Sequence, residues 1–312
     1  MAKYLVTGGA GFIGSHLVEA ILSRGDRVRI LDNFSTGRRE NVPSHPHCEL
    51  IEGTIVDPAT VRRAVAGCDF VLHQGAIPSV PRSVKDPVTS HEANVDGTLN
   101  VLVAARDAGV KRLVFAGSSS VYGDTAVLPK REDMVPQPLS PYALQKLMGE
   151  KYCQMFTKLY GFETVTTRYF NVFGPRQQPG SPYSGVISLF ASAIARGERP
   201  TINGDGSQTR DFTYVADVVN GVLRACLTPG VAGEVFNVAA GGRVSLLDLV
   251  RTLQEIYGRK DVEPLFGAVR EGDVKDSQAD ITKARQMLGF EPTVSFTDGL
   301  RQTALWHQHV PA

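Results

Sequence analysis

Tyr142 and Lys146 stand four residues apart in the stretch SPYALQK, a spacing that sets both side chains on one face of a helix. A phenol with a pKa near 10 is a poor base at neutral pH, but an ammonium beside it favours the phenolate. A drop of about three pKa units corresponds to roughly 4 kcal/mol. A tyrosine so activated can remove the proton of an alcohol. A Tyr-x-x-x-Lys pair alone is a weak signal; it gains weight from Ser118, Ser119 and Ser120, a run of hydroxyls closing a predicted strand, where open α/β sheets place their ligands.

The second chemical feature is the run TGGAGFIG near the start of the chain, with Gly8, Gly9, Gly11 and Gly14 between an apolar strand and a helical stretch. Glycines so placed allow a tight turn, close approach of backbone to a pyrophosphate and close helix–strand packing, with the helix N-terminus facing the phosphates. Phe12 and Ile13 open that helix. Asp32 follows Gly14 by 18 residues at the end of the second predicted strand, where a carboxylate accepts both ribose hydroxyls, with Asn33 next to it. The pattern favours NAD, because a 2′-phosphate would meet the charge of Asp32, although Arg38 and Arg39 lie close in sequence. A positively charged nicotinamide ring would add to the effect of Lys146 on the Tyr142 phenol. Asp57 has two readings, a ligand of the adenine amino group or a cap for the next helix; Val56 beside it carries no assignment.

The elements that must hold these residues alternate. Strands are expected at 3–7, 27–31, 48–52, 69–73, 112–117 and 164–170, and amphipathic helices at 12–23, 57–66, 91–108 and 142–160. This is a doubly wound parallel α/β sheet of the Rossmann kind. Beyond residue 171 the texture turns to polar, Gly/Pro-rich loops, so residues 1–171 read as the dinucleotide-binding domain and 172–312 mainly as a smaller substrate-binding lobe, with residues 233–239 returning to the main sheet as a strand. The 312 residues suffice for this, and 42% hydrophobic residues mark a globular chain. A net charge of +1 gives no field for nucleic acid or anionic membrane. Cys48, Cys68, Cys153 and Cys226 are widely spaced without a CxxC pair, which argues for a reducing cytoplasm and against a thiolate metal site. The pairs His45/His47 and His307/His309 lack neighbouring carboxylates or thiolates and are assigned no metal.

TGGAGFIG, HQGA, SSSVYG and YALQK, in that order and at these distances, resemble the extended short-chain dehydrogenases/reductases. RYFNVFGPRQ, INGDGSQTRDFTYV and REGDVKDSQAD narrow the resemblance to the UDP-hexose 4-epimerases, and among them to the bacterial UDP-N-acetylglucosamine 4-epimerases. The resemblance covers nearly the whole chain. It implies that Tyr142 is the acid/base, Ser118 its partner hydroxyl and Lys146 its activator and nicotinamide-ribose ligand, with Ser119 and Ser120 in support. It further implies that Asn171, Arg210, Arg270 and Asp273 hold the diphosphate and uridine ribose, and that residues 183–187, including Val186, lie near the uracil. Members of the family dimerise through helices corresponding to 91–108 and 142–160, here carrying Leu99, Val103, Met148 and Met155.

Counting forward from Asp273, the position beside the sugar C2 is Ser277, a small residue where relatives restricted to UDP-glucose place an aromatic one. Room is thus expected for an N-acetyl group, and Ser79, Arg82 and Gln177 also resemble residues of the N-acetyl-accepting epimerases. The expected activity is interconversion of UDP-GlcNAc and UDP-GalNAc, and of UDP-Glc and UDP-Gal, through a 4-keto sugar. A 4,6-dehydratase would carry an Asp-Glu pair where Ser119 and Ser120 stand. A UDP-glucuronate epimerase or decarboxylase needs a cation for the sugar carboxylate, and the sequence offers Asn171 without an obvious added cation. A non-catalytic dinucleotide sensor would have no use for Ser118, Tyr142 and Lys146 together.

Overall fold

Seven parallel strands form the frame of the site: β1 (Lys3–Thr7), β2 (Arg27–Asp32), β3 (Cys48–Glu52), β4 (Phe70–His73), β5 (Arg112–Ser118), β6 (Thr164–Tyr169) and, far along the chain, β11 (Val235–Val238). They are seen in a computed structural model that describes residues 1–177, 185–269 and 275–309. The order across the sheet is β11-β6-β5-β4-β1-β2-β3, so the winding reverses between β1 and β4. At such a reversal the loops leave the strand ends in opposite directions and open a crevice.

The alternation along β1 explains the two layers that cover the sheet. Tyr4 and Val6 pack with α1 (Phe12–Ser23) and α8 (Val215–Leu227) on one face. Leu5 packs with α2 (Pro58–Val65), α5 (Gly97–Asp107) and α6 (Pro141–Tyr160) on the other. Helix α6 is drawn close to β5 because Gly149 has no side chain: a Cβ there would stand 2.5 Å from the Phe115 ring. A buried fork also fastens α6 to β6, with Arg168 Nε and Nη2 donating to the Glu150 carboxylate at 2.8 and 2.7 Å. Arg168 is stacked over the Tyr122 ring.

Two helices differ from expectation. The stretch 91–108 is not one helix: α4 (Pro87–His91) runs into a π-helical turn, Glu92–Asp96, before α5 begins. The wide turn buries Asn94, whose amide reaches the Ile77 backbone on both sides, Nδ2 donating to its carbonyl and Oδ1 accepting from its N–H. A further short helix, α3 (Val80–Lys85), precedes it, with the Ser79 hydroxyl accepting from the Arg82 N–H at its start.

The smaller lobe has its own core, in which Phe173, Phe212 and Tyr214 pack among α7 (Val186–Ala195), α9 (Leu246–Tyr257) and α11 (Phe296–His309). Its strands are short pairs: β7 (Val172–Phe173) with β10 (Thr213–Tyr214), β8 (Thr201–Asn203) with β13 (Leu265–Gly267), and β9 (Thr209–Arg210) with β12 (Val244–Ser245). The last helix of the large lobe's α1 face is α10 (Thr282–Leu288). Among the described residues no helix is long and apolar enough to cross a membrane.

Candidate active site

A cleft of about 1730 Å³ lies at the reversal point and is lined from both lobes. Its floor is the glycine turn. Gly8 adopts φ +68°, and a Cβ there would stand 2.9 Å from the Gly75 backbone; a Cβ on Gly14 would stand 2.1 Å from the Gly8 carbonyl oxygen. Both positions therefore exclude any side chain, leaving a bare backbone cradle at the N-terminus of α1, where Gly11 caps the helix with no side chain of its own. Gly8, Gly11, Phe12, Ile13 and Gly14 all face the cleft. Bare backbone of this kind at a helix N-terminus is suited to a pyrophosphate.

Asp32 and Asn33 border the same cleft. The Asp32 carboxylate is buried and oriented by two backbone donors, Ala10 N–H at 2.9 Å and Phe34 N–H at 2.8 Å. Of the arginines that raised the possibility of a 2′-phosphate, Arg39 is drawn to Glu52, while Arg38 lines the cleft and pairs with Glu40. Asp57 is taken up by its helix: its carboxylate accepts from Ala59 N–H and Thr60 N–H, both at 3.1 Å, and from the Thr60 hydroxyl. These bonds hold its pKa below the ordinary carboxylate value. Of its two readings the structure displays the cap, while Ile55 and Val56 supply the cleft wall there.

Ser118, Tyr142 and Lys146 meet at the centre of the cleft. Ser118 ends β5 and shares a 2.9 Å hydrogen bond with Ser120, whose N–H also donates to the Ser118 oxygen. Tyr142 opens α6, its N–H donating to the Ser83 hydroxyl at 3.0 Å. Lys146 is buried one turn on; its ammonium donates to the Ala116 carbonyl at 2.9 Å and lies 6.0 Å from the centre of the Tyr142 ring. The expected lowering of the phenol pKa is not a property of the chain alone. Burial dominates and raises it, with Ser118 pulling the other way. Burial also draws Lys146 down to about 8. The chain thus holds a neutral phenol next to an ammonium close to its own titration, and a charge brought in by a ligand would tip the balance.

Beneath these groups runs a network that no motif revealed. The Gly75 N–H donates to Thr7 Oγ1 at 3.0 Å, Thr7 contacts His73 Nδ1 at 2.6 Å, His73 Nε2 contacts Thr98 Oγ1 at 3.0 Å, and Thr98 donates to the Asn94 carbonyl. Because the Thr98 hydroxyl is spent on a carbonyl, it accepts from His73 Nε2–H, which leaves Nδ1 to accept from Thr7. Burial and the Lys146 charge lower His73 to about 3, so it stays neutral. Asn94 continues the chain to Gln145 Oε1 at 2.8 Å on α6, between Tyr142 and Lys146. The HQGA stretch contained His73, but its partners are remote in sequence.

The smaller lobe closes the cleft with Asn171, Gln177, Arg210 and Ser277, and the large lobe adds Ser79, Arg82, Ser119 and Ser120. Asn171 sits at φ +32°, with its amide donating to the Asp211 carbonyl. Gln177 is held at both ends, Nε2 to the Val172 carbonyl at 2.9 Å and Oε1 from the Ser188 hydroxyl at 3.0 Å. Arg210 Nη1 donates to the carbonyls of Thr209 and Lys275. Val186 packs against the lobe's core and its neighbour Gly185 lines the cleft instead. Arg270, Asp273 and residue 183 lie outside the described residues.

A two-lobed chain with a glycine-turn Rossmann sheet and a Ser-Tyr-Lys centre has the build of an extended short-chain dehydrogenase/reductase. Residues 4–239 match the model of the NAD dependent epimerase/dehydratase family, to which this chain belongs. It is similar to a UDP-glucose 4-epimerase of Mycolicibacterium smegmatis, 40% identical over 306 residues and 96% of this chain and 97% of the relative. A UDP-N-acetyl-alpha-D-glucosaminuronate decarboxylase of Bacillus cytotoxicus is 34% identical over 99% of this chain and 98% of its own. Among solved structures, the UDP-N-acetylglucosamine 4-epimerase of Methanobrevibacter ruminantium in complex with UDP-N-acetylmuramic acid superposes with a TM-score of 0.94 at 37% identity, covering 98% of both chains.

Proposed function

We propose that this protein is an NAD-dependent UDP-sugar 4-epimerase that interconverts UDP-GlcNAc and UDP-GalNAc, and also UDP-Glc and UDP-Gal. The observation that carries the reading is the convergence on one cleft of the bare glycine cradle, Ser118, Tyr142 and Lys146, and the small side chain of Ser277. The membership of an epimerase family supports the reaction class, and the solved UDP-N-acetylglucosamine 4-epimerase supports the acetylated sugar.

NAD, when bound, would supply reversible hydride acceptance at the sugar C4. The glycine turn and Asp32 would hold the dinucleotide by its pyrophosphate and ribose. Tyr142 would take the proton of the C4 hydroxyl on oxidation and give it back on reduction, with Ser118 orienting that hydroxyl. Lys146 holds a positive charge beside the phenol. Arg210, with Arg270, anchors the diphosphate by charge-assisted hydrogen bonds while the 4-keto sugar turns over between the two transfers. Ser277 leaves space at C2. The enzyme works as a homodimer, its faces on α5 and α6, and its four cysteines are free thiols, as a reducing cytoplasm keeps them.

The test is a panel of the four UDP-sugars with the purified protein and no added reductant, together with mass spectrometry of the dinucleotide released on denaturation. Epimerised product and NAD or NADH are expected. Release of NADP as the main dinucleotide, or absence of product from all four sugars, overturns the reading.

A further inference from the structure

We infer that Lys130 is a specificity-determining residue at the sugar end of the cleft, where its ammonium holds a carboxylate on the hexose ring of an acidic UDP-sugar. The inference rests on the reading of the cleft as a UDP-sugar site. It extends the substrates of that site to a class for which the sequence offered no obvious cation.

Lys130 lines the cleft yet is only 2% exposed. Among the described residues its ammonium makes a single hydrogen bond, to the Thr125 carbonyl, and no ion pair. A buried charge with one neutral acceptor is costly, and an anion supplied by a ligand would offset that cost. Asp124 and Asp276 favour its charge from a distance but form no ion pair with it. Asp276 is occupied by the Thr209 hydroxyl and by Arg243.

The backbone fixes where the side chain stands. Lys130 N–H donates to the Gln278 carbonyl at 2.7 Å and the Asp280 N–H donates to the Lys130 carbonyl at 2.8 Å, which pairs Lys130 in parallel with Ala279. Paired residues share a face, and the two-residue period of extended chain puts Ser277 on that face too. Asn237 on β11 clamps the arrangement: its Nδ2 donates to the carbonyls of Lys130 and Asp280 at 2.9 and 3.0 Å, and its Oδ1 accepts from the Tyr122 hydroxyl at 2.6 Å. Arg210 lies across the same strip, beside Thr209, whose carbonyl accepts from Ser277 N–H at 3.1 Å. Two of the cleft's cations therefore stand on opposite edges of the Ser277 segment, while Arg82, Lys85 and Arg176 line it elsewhere. Arg210 serves the diphosphate, and Lys130, buried on the other edge beside Ser277, serves the sugar. A carboxylate is the group that matches it, since a charge-assisted bond is about twice as strong as one to a neutral hydroxyl.

The experiment measures Kd for UDP-glucuronate and UDP-glucose by calorimetry on the NAD-loaded enzyme, as wild type, Lys130→Met and Lys130→Gln. Glutamine can still donate to the Thr125 carbonyl, so it removes the charge and keeps the tether. The wild type is expected to bind UDP-glucuronate at least as tightly as UDP-glucose, and both variants to shift the ratio against the uronate by about 10- to 100-fold. A wild type that binds the uronate more than about tenfold more weakly, or a Lys130→Gln ratio equal to the wild-type one, overturns the assignment. If Lys130→Met does not fold, the wild-type and Lys130→Gln ratios decide. Failure of UDP-glucose to bind or turn over at all sinks the epimerase reading instead, and is told apart from an unchanged ratio.

Discussion

At the residue scale the site depends on which groups the protein keeps neutral. Tyr142 is raised by burial and Lys146 is lowered to about 8, so before ligands arrive the phenol is neutral and the ammonium lies close to its titration. Tyr142→Phe is expected to cut kcat by about 10²- to 10⁴-fold, the usual worth of a positioned acid/base, with melting temperature and dinucleotide content unchanged; most of the activity surviving in a folded variant would show another base at work. Ser277→Tyr adds a ring where we propose that the acetamido group sits. Overpacking of about 1–3 kcal/mol corresponds to roughly 5- to 150-fold, and kcat/KM for UDP-GlcNAc should fall by that factor relative to UDP-Glc. Equal losses on both sugars would remove the gatekeeper role. His73 gives a pH prediction. Its pKa is about 3 in the folded chain against 6.5 for the free side chain, so between these values the unfolded state binds more protons and stability falls as pH falls, by up to about 1.4 kcal/mol per pH unit. His73→Asn destabilises at pH 7 by breaking the Thr7 and Thr98 bonds, and urea titrations should show that gap to the wild type narrowing toward pH 4. A gap independent of pH would mean that His73 titrates normally.

At the element scale, the readable features were those written in consecutive residues. The apolar run of β1 and the glycine turn with α1 fall at the expected positions, because a strand buried on both faces and a helix after a bare turn leave local patterns. The break of 91–108 into two helices was hidden, since the wide turn is held by Asn94 bonding to Ile77, a loop residue whose approach depends on the sheet. The same holds for Lys130, placed in the cleft by Ala279 from the far end of the chain, and for the raised Tyr142, whose burial no spacing expresses. Two substitutions test the turn elements. Gly14→Ala sets a methyl 2.1 Å from the Gly8 carbonyl oxygen, so α1 must move off β1; NAD content on purification and melting temperature should both drop. Asp57→Ala removes the cap of α2 and should lower the melting temperature while NAD content stays full. Loss of NAD at unchanged stability would instead make Asp57 an adenine ligand.

At the scale of the whole molecule, the reversal of strand order between β1 and β4 puts the glycine turn, Gly75 and the end of β5 around one opening, and the smaller lobe covers it with residues drawn from well-separated stretches of chain. The outer face of α6 carries a feature that the single chain does not use. Leu144, Met148, Met155 and Leu159 of α6 are 49%, 36%, 51% and 60% exposed, and their spacing of four, seven and four residues lays them along one stripe of the helix. Val103 of α5 is exposed as well, and Arg106 lies over the Tyr160 ring at 4.7 Å, at the end of that stripe. Helix pairs of this kind, met by their copies, would bury the apolar surface that a stable homodimer of about 1,200–2,000 Å² requires. Replacing Met155 and Leu159 together by glutamate puts four charges into a two-fold interface, whereas on a monomer both side chains would stay in water at little cost. Light scattering during size exclusion should therefore give a dimer for the wild type and a monomer for the double variant, with Arg251→Glu, exposed on α9 of the smaller lobe, remaining dimeric. A monomeric wild type, or a double variant that stays dimeric, would show that α6 is a solvent face and that the two active sites of any larger assembly are joined elsewhere.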